Sequence, residues 1–204
     1  MGEKNKFDII SHNYQVDVKG RRALNNHNSF LIWFTGFSGS GKSTIANLVE
    51  LELHKMGIKT YLLDGDNVRK GLNTDLTFTP KDRTENIRRI AETANLMVDS
   101  GLVVLAAFIS PYKKDRENIK TIVKAINYIE IYINTSIEIC EQRDVKGLYK
   151  KARNGEIKNM TGISAPYEAP ENPDIEIKTE DGTVKKAVEY ILEYIKPKLK
   201  YSNE

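Results

Sequence analysis

The stretch that decides the fold is GFSGSGKS, residues 36–43. It has the pattern Gly, four residues, Gly-Lys-Ser/Thr, and its surroundings match. The apolar run FLIWFT ahead of it reads as a buried strand, and TIANLVELELHKMG after it reads as an amphipathic helix stopped by Gly57. Ile45, Leu48, Val49, Leu51 and Leu53 supply the apolar face of that helix. Glycines here let backbone N–H groups converge on phosphate oxygens, assisted by the positive end of the helix. Lys42 is expected to reach the β- and γ-phosphates and the Ser43 hydroxyl to be a magnesium ligand. No Asn-Lys-x-Asp segment that would read guanine is present, so ATP is the expected nucleotide.

Outward from this loop the chain alternates strand and helix. IKTYLLDGD is a strand ending in carboxylates, and DRTENIRRIAETANLMVDSG is a helix. GLVVLAAF is a strand, KKDRENIKTIVKAIN a helix and YIEIYIN a strand. TSIEICEQRD and DVKGLYKKARNGE follow as helical segments, then a Pro-rich APYEAPENPD, a last strand IEIKT and a closing helix. Such alternation implies an α/β fold, a parallel sheet with helices on both faces, and the phosphate loop makes it the P-loop nucleoside triphosphate hydrolase-like kind; a mobile lid is expected from the basic segment at 146–158. Residues 1–28 are polar, show no sustained period and read as an irregular N-terminal arm packing on the domain or on a partner chain. The domain is expected over 29–200, with a frayed tail at 201–204.

Bulk properties fit one soluble domain. The chain has 204 residues, 40% of them hydrophobic, with 31 basic and 28 acidic side chains and a formal charge of +3. That balance does not favour a nucleic-acid surface. No apolar run approaches the roughly 18 residues that span a bilayer, and the N-terminus lacks the apolar core of a signal peptide, so no membrane association and a cytoplasmic location are expected. One cysteine, Cys140, excludes an internal disulfide or cysteine-cluster metal site and reads as a small buried residue.

The acceptor side lies on neighbouring segments. Asp64 and Asp66 close the second strand, where carboxylates organise magnesium waters or orient an attacking hydroxyl; the plainer alternative makes Asp66 an N-cap. Arg69 returns towards the same cleft. On the helix from Asp82, Ile87, Ile90, Ala91, Ala94, Met97 and Val98 form a buried stripe, and Arg83 and Asn86 fall on its N-terminal end. A core-facing arginine is costly unless paired, which places Arg83 in a cleft meeting an anionic substrate. Arg88, Arg89 and Glu92 point elsewhere. The basic segment with Lys146, Lys150, Lys151, Arg153 and Lys158 reads as a lid hinged at Gly147 and Gly155, or as a solvated helix face. In AAFISPYKKDR the third strand ends without the carboxylate that often helps hold magnesium. Asp64 and Asp66, one strand away, are the substitute.

Together these stretches resemble the adenylylsulfate kinase (APS kinase) family over about residues 28–178. The carriers are WFTGFSGSGKST, YLLDGDNVRKGLN, DRTENIRRIAETANLMVDSGLVVLAAFISPY, CEQRDVKGLYKKARNGEIKNMTGI and YEAPENPDIEI. The resemblance implies transfer of the ATP γ-phosphate to the ribose 3′-hydroxyl of adenosine 5′-phosphosulfate, giving PAPS and ADP in sulfate assimilation, with Mg2+ and a homodimer. ATP would contact Gly36, Phe37, Ser38, Gly39, Ser40, Gly41, Lys42, Ser43 and Thr44, with Arg143 packing near its base. Asp66 would address the 3′-hydroxyl. Arg69, Arg83 and Asn86 would hold the phosphosulfate, Phe78 would pack on its adenine, and Ile109, Ser110, Lys146 and Leu148 would complete the pocket. Ser110 is described in the family as a phosphoserine intermediate. Direct in-line transfer needs no carrier, and a polar pocket contact is the preferred reading. Two positions depart from the family: Met160 stands for a usual Phe, and Thr77 for a glycine, stiffening the loop that carries Phe78. The competing readings are another phosphate-loop small-molecule kinase and a non-catalytic PAPS-sensing module.

Overall fold

The apolar run ahead of the phosphate loop forms β1, Leu31–Thr35, and every residue of it is buried. β1 can be buried throughout because it is central: it pairs in parallel with β3 (Val103–Ala107) on one side and β4 (Tyr128–Asn134) on the other. β2 (Thr60–Asp64) and β5 (Ile175–Lys178) complete a five-stranded parallel sheet in the order β2-β3-β1-β4-β5. The computed structural model describes residue 12, residues 14–180 and residues 182–201.

Alternate side chains of β1 enter two cores. Ile32 and Phe34 meet Ile45, Val49 and Leu53 of α2 (Lys42–Lys55) and Ile191 and Ile195 of α8 (Val184–Leu199). Leu31 and Trp33 meet Ile90, Ala94 and Val98 of α4 (Pro80–Asp99) and Ile119 of α5 (Lys113–Val123). The sheet is therefore covered on both faces, as the strand–helix alternation requires. A third, small cluster of Cys140, Tyr149, Ala152 and Met160 packs beside the phosphate loop, joining α6 (Ile137–Arg143) to α7 (Leu148–Arg153). Cys140 is buried, as expected. No helix among the described residues is long and apolar enough to cross a membrane.

Two expectations need correction. The arm is not irregular throughout. Residues 18–25 form α1 (Val18–Asn25), because the Asp17 carboxylate accepts the Gly20 N–H as an N-cap. Arg21 then pairs with Asp99 at 2.7 Å, and the Asn25 amide donates to the Gly101 carbonyl at 3.0 Å. Eight residues lack the length to show a period against a polar background, and tertiary contacts hold the helix instead. Residues 1–11 and 13 of the arm, and 202–204 of the tail, lie outside the described residues. On α2, Leu51 is exposed and Ala46 takes its place in the core, since Leu51 falls roughly 120° from the stripe through Ile45 and Val49 at 100° per residue. On α4 the stripe holds, although Met97 is only partly buried.

α4 starts where its caps dictate: Thr79 accepts the Asp82 N–H and Pro80 occupies the first turn. Burial predicts the energetics of its two faces. Ile90 is 0% exposed and Leu96 72% exposed. Ile90→Ala is expected to lower stability by about 2–5 kcal/mol in urea denaturation, and Leu96→Ala by less than about 0.5 kcal/mol.

Candidate active site

Gly36 opens the phosphate loop with φ 145°, and a Cβ there would lie 2.5 Å from the Ile133 carbonyl oxygen, so only glycine fits. The loop ends at Gly41, the N-cap of α2, with φ 103°. Lys42 begins the helix, and its side chain folds back over the loop. Its Nζ donates to the Phe37 carbonyl at 2.5 Å and to Ser40 Oγ at 3.4 Å. Only 7% of Lys42 is exposed, and burial pulls its ammonium down to about 8. Arg143, at the end of α6, donates to the Gly39 and Ser40 carbonyls at 3.4 and 3.5 Å.

Ser43 and Asp64 meet across the gap between α2 and β2, the hydroxyl donating to Oδ2 at 2.7 Å. The other Asp64 oxygen accepts the Asp66 N–H at 3.0 Å. Asp64, not Asp66, therefore caps the short helix α3 (Gly65–Val68). That leaves the Asp66 carboxylate free to face the cleft, where it pairs with Lys146. Ser43, Asp64 and Asp66 offer hard oxygen ligands that suit Mg2+. Among the described residues no cluster of three or more His, Cys, Asp and Glu converges, so a cation here takes its remaining ligands from phosphates and water.

Arg69 and Arg83 lie over the Phe78 ring, with their guanidinium carbons 4.4 and 5.5 Å from its centre. Arg69 donates to the Leu76 carbonyl at 3.0 Å. Arg83 donates to the Phe78 carbonyl at 3.1 Å and the Asn159 carbonyl at 2.7 Å. Neither meets a carboxylate among the described residues, and burial lowers the proton affinity of both. By contrast, Arg88 and Arg89 are paired, with Glu85 and with Asp75 and Glu85. Two desolvated cations beside an exposed aromatic face make an anion site with a stacking platform. Thr77, the residue in place of a glycine, gives both its N–H and its hydroxyl to Asp82, which holds that carboxyl below its ordinary range and ties the Phe78 loop to α4. Asn86 is buried and accepts from Asn73 at 3.0 Å, as its place on the α4 stripe foretold.

These groups line one cleft of about 310 Å³, which holds Lys42, Ser43, Asp64, Asp66, Arg69, Phe78, Arg83, Asn86, Ile109, Ser110 and Lys146. Leu148 is not among its lining residues; it packs against Cys140, Tyr149 and Met160. A second cavity, of about 740 Å³, lies across the loop, between Arg143 and the segment from β5 into α8 with Lys178, Thr179, Thr183 and Tyr190. Sequence reasoning did not name those last four. The available signal was a strand end followed by the Thr183 N-cap at the carboxyl edge of a parallel sheet.

Ser110 is 2% exposed and has φ 41°, a left-handed conformation unusual for a residue with a side chain. Its hydroxyl accepts from Trp33 Nε1 at 3.0 Å and donates to Thr35 Oγ1 at 2.9 Å. The hydroxyl thus faces inward, while the residue lines the cleft.

The family model for adenylylsulphate kinase matches residues 28–178. An adenylyl-sulfate kinase of Staphylococcus epidermidis is 56% identical over 196 residues, 96% of this chain and 98% of that protein. One of Thermodesulfovibrio yellowstonii is 52% identical over 198 residues, covering 97% and 99%. The structure of the Mycobacterium tuberculosis APS kinase CysC in complex with AMPPNP and APS superposes with a TM-score of 0.80 at 43% identity, covering 83% of this chain and 98% of that one.

Lys42 carries a pH signature. Its ordinary value is 10.5, so the cost of burying the charge is present below pH 8 and is relieved as pH rises from 8 towards 10.5. Phosphate needs the charged form. Nucleotide affinity is expected to be flat below pH 8 and to fall by about tenfold per unit above it, with proton uptake visible by calorimetry in buffers of different ionisation enthalpy. Constant affinity to pH 9.5, a point chosen roughly midway through that window, would contradict this role.

Proposed function

The chain belongs to the adenylylsulfate kinase family, and we propose that it does what the family's members do: it transfers the γ-phosphate of ATP to the 3′-hydroxyl of adenosine 5′-phosphosulfate, giving PAPS and ADP in sulfate assimilation. The observation that carries this is the meeting, in one cleft, of the Lys42–Ser43 phosphate site with Asp66, Arg69, Arg83 and Phe78. The acceptor is a flat base attached to an anionic phosphosulfate, and an exposed ring beside two arginines that have no carboxylate partner among the described residues suits both halves.

In this reading Lys42 exchanges the Phe37 carbonyl for the β- and γ-phosphate oxygens, and the amides from Gly36 to Thr44 cradle the rest. Arg143 packs near the ATP base, at the mouth of the second cavity. Mg2+ would be held by Ser43, with Asp64 and Asp66 acting through water, and would supply charge neutralisation at the transferred group. Phe78 stacks on the acceptor adenine, and Arg69, Arg83 and Asn86 hold the phosphosulfate. Ile109 and Ser110 form the wall behind it, and Lys146 and Leu148 close it as the 144–159 segment folds over the site.

Asp66 orients the 3′-hydroxyl and accepts its proton. Its present partner, Lys146, leaves it to reach the phosphates; both are more than half exposed, so the exchange costs little. Transfer is direct, because the Ser110 hydroxyl is turned to Trp33 and Thr35 and not to the cleft. A homodimer in the cytoplasm is the setting that the family resemblance implies.

Two experiments test this. ADP release with ATP, Mg2+ and adenosine 5′-phosphosulfate is expected to fall about 10²- to 10⁴-fold in Asp66→Ala while nucleotide binding persists; faster turnover of a nucleoside monophosphate by the wild type would sink the assignment. Mass spectrometry after incubation with ATP alone is expected to find no phosphate on Ser110, whereas stoichiometric phosphoserine that is discharged by acceptor would restore a two-step route.

A further inference from the structure

Arg116, on α5, is 2% exposed and lies behind the acceptor wall, outside the cleft's lining. Each edge of its guanidinium is used. Nη1 donates to the Ser110 carbonyl at 2.7 Å, and Nη2 donates to the Glu168 carbonyl at 2.6 Å. Nε lies 3.0 Å from the carboxylate of Glu130, a buried residue of β4. One side chain thus joins the loop leaving β3 to the Pro-rich segment at 165–173. A second tie runs beside it. The Thr35 hydroxyl donates to the Ile109 carbonyl at 2.8 Å and accepts from Ser110, so the Tyr167 hydroxyl, 2.9 Å away, is the donor in its bond to Thr35.

Burying an ion pair is costly, and its mutual attraction recovers that cost only when the remaining donors are also satisfied. Here two of the four remaining N–H groups reach backbone carbonyls, and Lys120 lies 3.8 Å from the other Glu130 oxygen. A lysine would keep the charge opposite Glu130, but its compact ammonium cannot span two carbonyls as the planar fork does. Ser110 supplies the reason such a clamp is needed. Its left-handed backbone is sparsely populated and persists only where surrounding bonds over-determine it. Those bonds are Arg116 on its carbonyl and Trp33 and Thr35 on its hydroxyl.

We propose that Arg116 is a positioning residue for the acceptor. With Tyr167 it fixes the Ile109–Ser110 backbone on which the acceptor rests, and so sets the acceptor hydroxyl against Asp66 and the phosphate loop. It touches neither substrate. The inference rests on the acceptor site proposed above.

The test is steady-state kinetics of Arg116→Lys and Tyr167→Phe, varying each substrate in turn, with thermal unfolding measured in parallel. For Arg116→Lys, kcat/KM for adenosine 5′-phosphosulfate is expected to fall about 10- to 100-fold, with KM for ATP within about twofold of wild type. For Tyr167→Phe, which loses one hydrogen bond and keeps the ring, the acceptor-specific fall is about three- to tenfold. A folded Arg116→Lys with unchanged acceptor kinetics overturns the proposal, and so does one in which both substrates weaken together. If Arg116→Lys does not fold, Tyr167→Phe decides by the same two criteria. A wild type inactive on adenosine 5′-phosphosulfate strikes down the proposed function itself, and this inference with it. An active wild type with unaffected variants removes only the positioning role.

Discussion

The turn at Gly36 is the constraint on which the site depends. β1 and β4 stay paired as far as Thr35 and Tyr132, so the chain leaving β1 must pass directly over the end of β4. It does so within 2.5 Å of the Ile133 carbonyl, measured from where a Cβ would stand, and a side chain there would push the loop off the sheet. The same close approach lets the Thr135 hydroxyl donate to the Ser40 carbonyl at 3.1 Å, fastening the loop's far side. Lys42 and Ser43 then start α2 with their positions inherited from the sheet.

Around this anchor, the treatment of positive charge separates structure from function. Arg88, Arg89 and Arg116 each have carboxylate partners. Among the described residues, Arg69 and Arg83 donate only to carbonyl oxygens, yet an arginine remains charged at any ordinary pH. Partly desolvated cations are costly without a counter-charge, and in the proposed function an anionic acceptor brings it. The exposed Lys146–Asp66 pair has the opposite character: screened by water, it is weakly held and easily traded for contacts with substrate.

What was readable in the sequence was local. The phosphate loop is a contiguous pattern between a strand and a helix, and the α4 stripe is a single period, so Asn86 and Arg83 could be placed from spacing alone. Leu51 supports the same point from the other side: spacing puts it off the α2 stripe, and only its apolar character made it look like core. Contacts between distant segments left no periodic trace. Arg116 sits in KKDRENIK, a charged stretch in which nothing local marks it as buried, and Glu130 interrupts the apolar run of its strand with no local hint of its partner. Tyr167 lies in a Pro-rich loop whose course depends on tertiary bonds. The β5–α8 side of the second cavity leaves no local signal for the same reason: its residues converge only once the sheet is assembled.

The bond between Trp33 and Ser110 also has an optical consequence. Trp33 is the chain's only tryptophan, fully buried, with its ring 5.3 Å from that of Phe108 and its N–H spent on the acceptor wall. All indole emission therefore originates at one point, two residues of β1 short of the phosphate-loop approach and in direct contact with the strained serine. Indole fluorescence of the unmodified protein is a built-in gauge of that wall, with no second tryptophan to contribute.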